Sequence, residues 1–260
     1  MGVVNVTPDS FSDGGRFTDT AGAVAQALRL IEEGAQIVDI GGESTRPGAA
    51  PVPLEEELQR VIPVIEQLRA RVAVPISIDT RHAQVMRAAL AAGADMVNDV
   101  QALQAPEALR VVANCGAGIC LMHMQGDPRS MQQSPRYTDV VAEVRDFLAA
   151  RVAACRAAGI DAERIAIDPG IGFGKGRGHN LKILSNLQAL AVLGRPIVIG
   201  VSRKSTIGAI TGRPLAERLA GSIALATLAA AHGAAIIRAH DVPATVDALK
   251  IVSAMRGEAT

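Results

Sequence analysis

The sequence predicts an α/β fold, a (β/α)8 TIM barrel formed by one domain over residues 1–260, on three observations. Eight short apolar runs alternate with eight longer amphipathic stretches. The apolar runs start roughly 33 residues apart on average, close to the repeat of a complete barrel. The chain has 260 residues, within the usual range for one such barrel. A doubly wound open sheet is the competing architecture. The count of eight, and a helical stretch that closes the C-terminus, favour the barrel.

The predicted strands are residues 3–6, 36–40, 76–79, 96–99, 118–122, 165–168, 197–201 and 235–238. They are rich in Val and Ile, as parallel strands buried on both faces must be. With no Trp, one Tyr and four Phe, the core has to be aliphatic. Residues 21–33 carry Val24, Ala27, Leu28 and Ile31 at helical spacing. Further helical stretches span 54–68, 83–92, 106–113, 138–157, 180–193, 215–231 and 242–255. Gly34, Gly93, Gly116 and Gly233 each precede an Ala and a strand, a pattern that fits left-handed helix caps.

Composition narrows the function classes. Lys plus Arg equals Asp plus Glu at 26 each, which argues against nucleic-acid or membrane-surface binding while leaving room for a local anion site. No apolar stretch reaches the ~18 residues that span a bilayer. No basic segment precedes an apolar run at the N-terminus, so a secretory signal is not expected. Cys115, Cys120 and Cys155 are odd in number and lack CxxC spacing, so they read as reduced thiols of a cytoplasmic enzyme.

Barrel active sites lie at the C-terminal ends of the strands. Polar residues just beyond each apolar run are therefore expected to converge on one mouth. Asp79, Asn98 and Asp168 end strands three, four and six, and Lys204 follows strand seven. Each alone reads equally as a structural ion pair or a helix cap. Together they make a pocket of mixed donors and acceptors suited to a flat aminopyrimidinone. Asn5, Arg238 and His240 come from strands one and eight, neighbours in a closed barrel. Arg and His suit a phosphate or diphosphate, and Ser205 offers a further hydroxyl or helix-start amide. The alternative for Arg238 is a surface ion pair with Asp241. The stretch Asp168-Pro-Gly-Ile-Gly-Phe-Gly-Lys175 is neither a Walker loop nor GxGxxG, and reads as a tight loop after a strand. Its Phe173 either faces a flat ligand or packs under the loop. Residues 7–17 and 41–53 exceed the usual βα loop length and read as closing loops or as ordinary surface loops.

The motif Asn5-Val-Thr-Pro-Asp-Ser-Phe-Ser-Asp-Gly-Gly15 resembles the first signature of the dihydropteroate synthases, and Gly41-Gly-Glu-Ser-Thr-Arg-Pro-Gly48 resembles the second. The order continues through Ile78-Asp79-Thr80, Asn98-Asp99, Leu121-Met-His-Met-Gln125, Asp168 to Lys175, Ser202-Arg-Lys-Ser205 and Ile237-Arg-Ala-His-Asp241, covering nearly the whole chain. The resemblance implies that Asp79, Asn98, Asp168 and Lys204 hold a pterin, with Met122 lining the pocket. It implies that Asn5, Arg238 and His240 hold a diphosphate, Asn5 beside Mg2+, and that Thr45, Arg46, Pro47, Phe173 and Ser202 form a p-aminobenzoate site at which sulfonamides compete. The implied reaction joins a pterin methyl diphosphate to p-aminobenzoate, with Lys204, Arg238, His240, Asp79 and Asp168 as the catalytic set. A homodimer acting on small molecules is implied as well. Relatives carry a short N-terminal hairpin before the first strand, and here Met1 sits almost on that strand, so the hairpin is expected to be missing. The rival reading is the pterin-binding domain of a methyltetrahydrofolate-dependent methyltransferase.

Overall fold

The computed structural model describes residues 1–6, 15–43, 51–127 and 130–257. Eight strands alternate with helices along them: β1 Gly2–Asn5, β2 Val38–Gly41, β3 Ile76–Asp79, β4 Met96–Asp99, β5 Gly118–Met122, β6 Ile165–Asp168, β7 Val198–Gly200 and β8 Ile236–Arg238. The helices are α1 Gly15–Glu32, α2 Leu54–Arg69, α3 Ala83–Ala91, α4 Ala108–Ala113, α5 Val140–Ala157, α6 Arg177–Leu184, α7 Gln188–Ala191, α8 Ser205–Thr211, α9 Leu219–Ala231 and α10 Val242–Arg256.

All strand pairs are parallel, and the ring closes. Strands β1 to β6 hydrogen-bond in chain order and β7 pairs with β8. Bridges Ile167↔Ile197 and Gly2↔Ala239 join the two sheets at both edges. The second seam is carried by Val3 N to Ala239 O at 3.1 Å and Ala239 N to Met1 O at 2.9 Å. Closure leaves no strand edge unpaired, and places every C-terminal strand end on one rim.

Register divides the side chains into two sets, because alternate residues of a strand point to opposite faces. One row runs Val4, Ile40, Ile78, Val97, Ile119 and Ile165. These belong to the large buried cluster between strands and helices, with Leu30, Ile65, Met86 and Leu148. The opposite row faces the barrel interior. Its apolar part is small: Met96, Cys120, Ala166 and Val198, with Met1 and Ile236 against them. Above that plug the interior row turns polar, with Asp39, Ser77, Asp79, Asn98 and Asp168 all buried. The sequence thus fills the base of the barrel with hydrocarbon and its upper half with charge.

The helices cover the outer row. In α2, Val61, Val64, Ile65 and Leu68 are buried at helical spacing, with Glu55, Glu56 and Glu57 in the first turn and Arg69 in the last, as the helix dipole favours. In α5 the Asp139 carboxylate accepts from Val141 N at 3.2 Å and caps the start.

Three expectations need correction. The helix expected over 180–193 is two helices, α6 and α7. Asn186 Nδ2 donates to Lys182 O at 2.7 Å and takes a carbonyl of the last turn of α6, which competes with continuation of the helix. Helix α8 was not expected, because Ser-Thr-Ile-Gly-Ala-Ile-Thr is short and mixes β-branched residues with Gly. Gly34, Gly93 and Gly233 do have φ of 101°, 105° and 103°, but Gly116 does not join them. Helix α4 ends earlier, with Asn114 as its C-cap, so the chain needs no left-handed residue at 116.

Leu121 on β5 is fully buried in the outer cluster, whereas Leu228 on α9 is 54% exposed. Leu121→Ala is expected to lower unfolding free energy by about 2–5 kcal/mol. Leu228→Ala should stay within about 0.5 kcal/mol. Urea unfolding followed by circular dichroism checks both.

Candidate active site

At the rim, a guanidinium crosses the barrel. Half-buried Arg238, at the end of β8, donates from Nε to Asp39 Oδ2 at 2.6 Å and from Nη2 to Asp79 Oδ2 at 2.7 Å. The same Asp39 oxygen accepts from Asn98 Nδ2 at 3.1 Å. Asp79 and Asn98 are register partners on β3 and β4, so their side chains share the inner face. Asp39 sits one layer lower on β2 and is fully buried. Burial pushes the Asp79 carboxyl up to about 7, against the pull of Arg238, while Asp39, Asp99 and Glu57 add repulsion. For Arg238 burial works against the charge. Asp39 and Asp79 more than offset it, so the guanidinium holds its proton more tightly than usual.

Across the mouth, Asp168 ends β6 and shares a face with Met122, its register partner on β5. Its Oδ1 accepts from Gly170 N at 2.6 Å. Burial raises its carboxyl, and Lys204 opposes that shift. Lys204 follows β7, where it donates to Ile171 O and lies 4.7 Å from the centre of the Phe173 ring. Burial lowers its ammonium to about 8, with Asp168 holding it up and Arg238 pressing it down. Gly200 keeps this side open: a Cβ there would lie 3.9 Å from Arg238 Cβ and 4.0 Å from Lys204 Nζ.

The loop after β6 is held from beneath. Lys175, 2% exposed, donates to Gly170 O and Phe173 O, both at 3.0 Å, to His123 O at 3.2 Å, and to His123 Nδ1 at 2.8 Å. Burial and the neighbouring Lys175 depress His123 to about 3, so the imidazole is neutral and its Nδ1 accepts. The glycines are dictated by contact with the backbone just after β5. Gly170 and Gly174 have φ of 67° and 60°, and a Cβ on them would stand 1.9 Å from His123 O and 2.2 Å from Gln125 O.

On the remaining side, His240 Nδ1 meets Ser202 Oγ at 3.0 Å, and His240 N donates to the same oxygen at 3.2 Å. The ion pair weighed between Arg238 and Asp241 does not form. Asp241 instead accepts from Arg203 Nε at 3.0 Å and Nη2 at 2.5 Å. Arg203 can reach it because its backbone turns at φ 59°, fixed by Arg203 N to Ser222 Oγ at 2.9 Å.

A match to the protein family described as pterin binding enzyme spans residues 1–240. The chain belongs to the pterin-binding enzyme family. Dihydropteroate synthase of Escherichia coli (strain K12) is 49% identical over 254 residues, covering 98% of this chain and 90% of the relative. The structure of Xanthomonas albilineans dihydropteroate synthase with 4-aminobenzoic acid superposes with a TM-score of 0.94 at 55% identity, covering 100% of this chain and 93% of that one. The same organism's enzyme in complex with 7,8-dihydropteroate gives 0.91 at 53% identity, covering 100% and 94%.

In this pterin-binding enzyme Asp79, Asn98, Asp168, Lys204 and Arg238 gather at one rim, with Met122 on the Asp168 face and Phe173 against Lys204. Arg238 is not the open anion fork read from sequence, since two of its three nitrogens face carboxylates. Asn5 ends β1 half-buried, beside Gly41 in register. Thr45, Arg46 and Pro47 lie outside the described residues, as do residues 7–14. The stem of the second loop is described: Glu43 accepts from Arg81 Nε and Nη2 at 3.0 and 2.9 Å and from Val52 N at 3.2 Å.

Sequence reasoning missed two residues. Asp39 stands inside an apolar strand two positions before Gly41, and that parity with the rim was the available signal. Lys175 was read only as the last letter of a glycine motif. Gly170→Ala is expected to cost more than about 3 kcal/mol or to prevent folding, since both φ and space exclude a Cβ. Thermal unfolding against exposed Gly178→Ala, where nothing lies within 4 Å, is the comparison that measures it.

Proposed function

We propose that this chain is a dihydropteroate synthase, a transferase of folate synthesis. It would condense 6-hydroxymethyl-7,8-dihydropterin diphosphate with p-aminobenzoate to give 7,8-dihydropteroate and diphosphate. The observation that carries the reading is the rim itself: Asp79, Asn98 and Asp168 supply acceptors opposite the Lys204 ammonium, on a chain whose relatives bear that name. An aminopyrimidinone offers amino and ring N–H donors to such acceptors and a carbonyl to the ammonium. The methyltransferase reading gains no support from these relatives.

The reaction is substitution at the pterin methylene. As the C–O bond breaks, positive charge spreads into the ring, where the Asp79 and Asp168 carboxylates stabilise it. The leaving diphosphate carries negative charge, which His240 and the Nη1 side of Arg238 can face. The arylamine is neutral at ordinary pH and needs no dedicated base. Phe173 and Ser202, with Thr45, Arg46 and Pro47, are the proposed walls of its site. Ser202 touches His240, so the proposed amine and diphosphate sites adjoin.

Mg2+ is part of the proposal. Among the described residues no group of three or more His, Cys, Asp or Glu side chains could hold a metal. Mg2+ usually keeps several waters and is bound through one or two protein oxygens plus substrate phosphates. Asn5 is the proposed protein ligand, and the ion's contribution would be neutralisation of the diphosphate. A homodimer is also proposed, supported by exposed Ile251 and Met255, four residues apart on α10, and by exposed Leu228 on α9, the helix packed against it. Among the described residues no helix is long and apolar enough to cross a membrane. The cytoplasm is proposed on the three cysteines, all free thiols.

Incubation of the purified chain with both substrates and Mg2+ should yield dihydropteroate and diphosphate; no product at all would refute the assignment. Its kcat/KM should peak between about pH 7 and 8, rising as Asp79 loses its proton and falling as Lys204 loses its own. Lys204→Ala is expected to lower kcat/KM about a hundredfold and to remove the alkaline limb of that profile.

A further inference from the structure

We infer that Asp39 is a positioning residue that sets the donor–acceptor pattern of the pterin site through Asn98 and Arg238. The inference rests on the proposed function and extends it to a group that no ligand would touch. Asp39 is fully buried on β2, below the rim. One of its oxygens, Oδ2, accepts both Arg238 Nε at 2.6 Å and Asn98 Nδ2 at 3.1 Å. The other, Oδ1, is buried without a hydrogen-bond partner. A carboxylate placed so deep is costly to desolvate unless charge and hydrogen bonds answer it, and here both come from side chains of the rim.

The consequence falls on Asn98. An amide presents an NH2 on one side and a carbonyl on the other, and the network decides which way it points. With Nδ2 drawn down to Asp39, the Asn98 carbonyl is the group left for the mouth. The Asp39 charge also shares Arg238 with Asp79, so one Asp79 oxygen is occupied at 2.7 Å and the other is spared for a ligand. Asp39 therefore turns Asn98 into an acceptor and fixes Arg238 beside Asp79. The rim then offers three acceptor side chains and one ammonium, a pattern that takes a ligand edge rich in N–H donors. Without Asp39 the amide is free to turn and present its NH2 to that same edge, donor against donor.

The test compares Asp39→Ala and the isosteric Asp39→Asn with the unsubstituted chain, alone and in an Asn98→Ala background. Calorimetric binding of 6-hydroxymethyl-dihydropterin diphosphate, steady-state KM for both substrates and thermal unfolding are read for each. Asp39→Ala should weaken pterin binding about tenfold or more while KM for p-aminobenzoate changes little, and should cost much less once Asn98 is already Ala. Asp39→Asn keeps the shape and loses the charge, and should show the same split at smaller size; it carries the comparison if the Ala variant does not fold. Unchanged pterin affinity overturns the inference. So does an equal loss for both substrates that adds independently to Asn98→Ala, the mark of a merely structural residue. Failure of the unsubstituted chain to bind the pterin would overturn the proposed function first, and this inference with it.

Discussion

The upper half of this barrel depends on one guanidinium and the two carboxylates that receive it. Asp39 and Asp79 lie on neighbouring strands with their side chains turned inward, both buried and both bonded to one guanidinium. Two carboxylates so placed repel each other unless a cation lies between them. Arg238 supplies it from β8, across the ring, and becomes the tie between the last strand and the second and third. The remaining polar groups are arranged around that triad. Asn98 adds a second hydrogen bond to the Asp39 oxygen that Arg238 already holds, and Lys204 balances Asp168 on the opposite wall.

This arrangement is possible because the apolar filling of the interior stops low. Met96, Cys120, Ala166 and Val198 plug the base, and Gly41 and Gly200 occupy inner positions where a larger side chain would crowd Asp79 or Lys204. Stability comes instead from the outer row of Val, Ile and Leu under the helices. Packing and chemistry are thus assigned to opposite faces of the same strands. Hydrophobic burial scales with area and tolerates many side chains, whereas the inner face is restricted residue by residue.

That division explains what could be read from the sequence. The outer row repeats at every strand, so the eight strands and the rim that holds Asp79, Asn98, Asp168 and Lys204 follow from periodicity and spacing alone. The partners of those residues do not. The ties of Arg238 to Asp39 and Asp79 were not foreseen, because spacing shows where a side chain starts and not which distant carboxylate it meets. Asp39 was passed over inside its apolar run because its partners, Asn98 and Arg238, are far away in sequence, and Lys175 because its burial under the loop depends on distant His123. Helix α8 escaped because seven residues containing two Thr and a Gly carry little local preference.

The seam between β1 and β8 gives the molecule a temporal order. Val3 binds Ala239, and Met1 binds Ile237 across 236 residues of chain. Loop closure over such a span comes late, after local pairings have formed. A ribosome that has delivered seven strands has delivered Asp39 and Asp79 without their cation. Until β8 arrives the ring is open and those two carboxylates lack the guanidinium that bonds both. Sealing the wall and completing the polar rim depend on the same last strand.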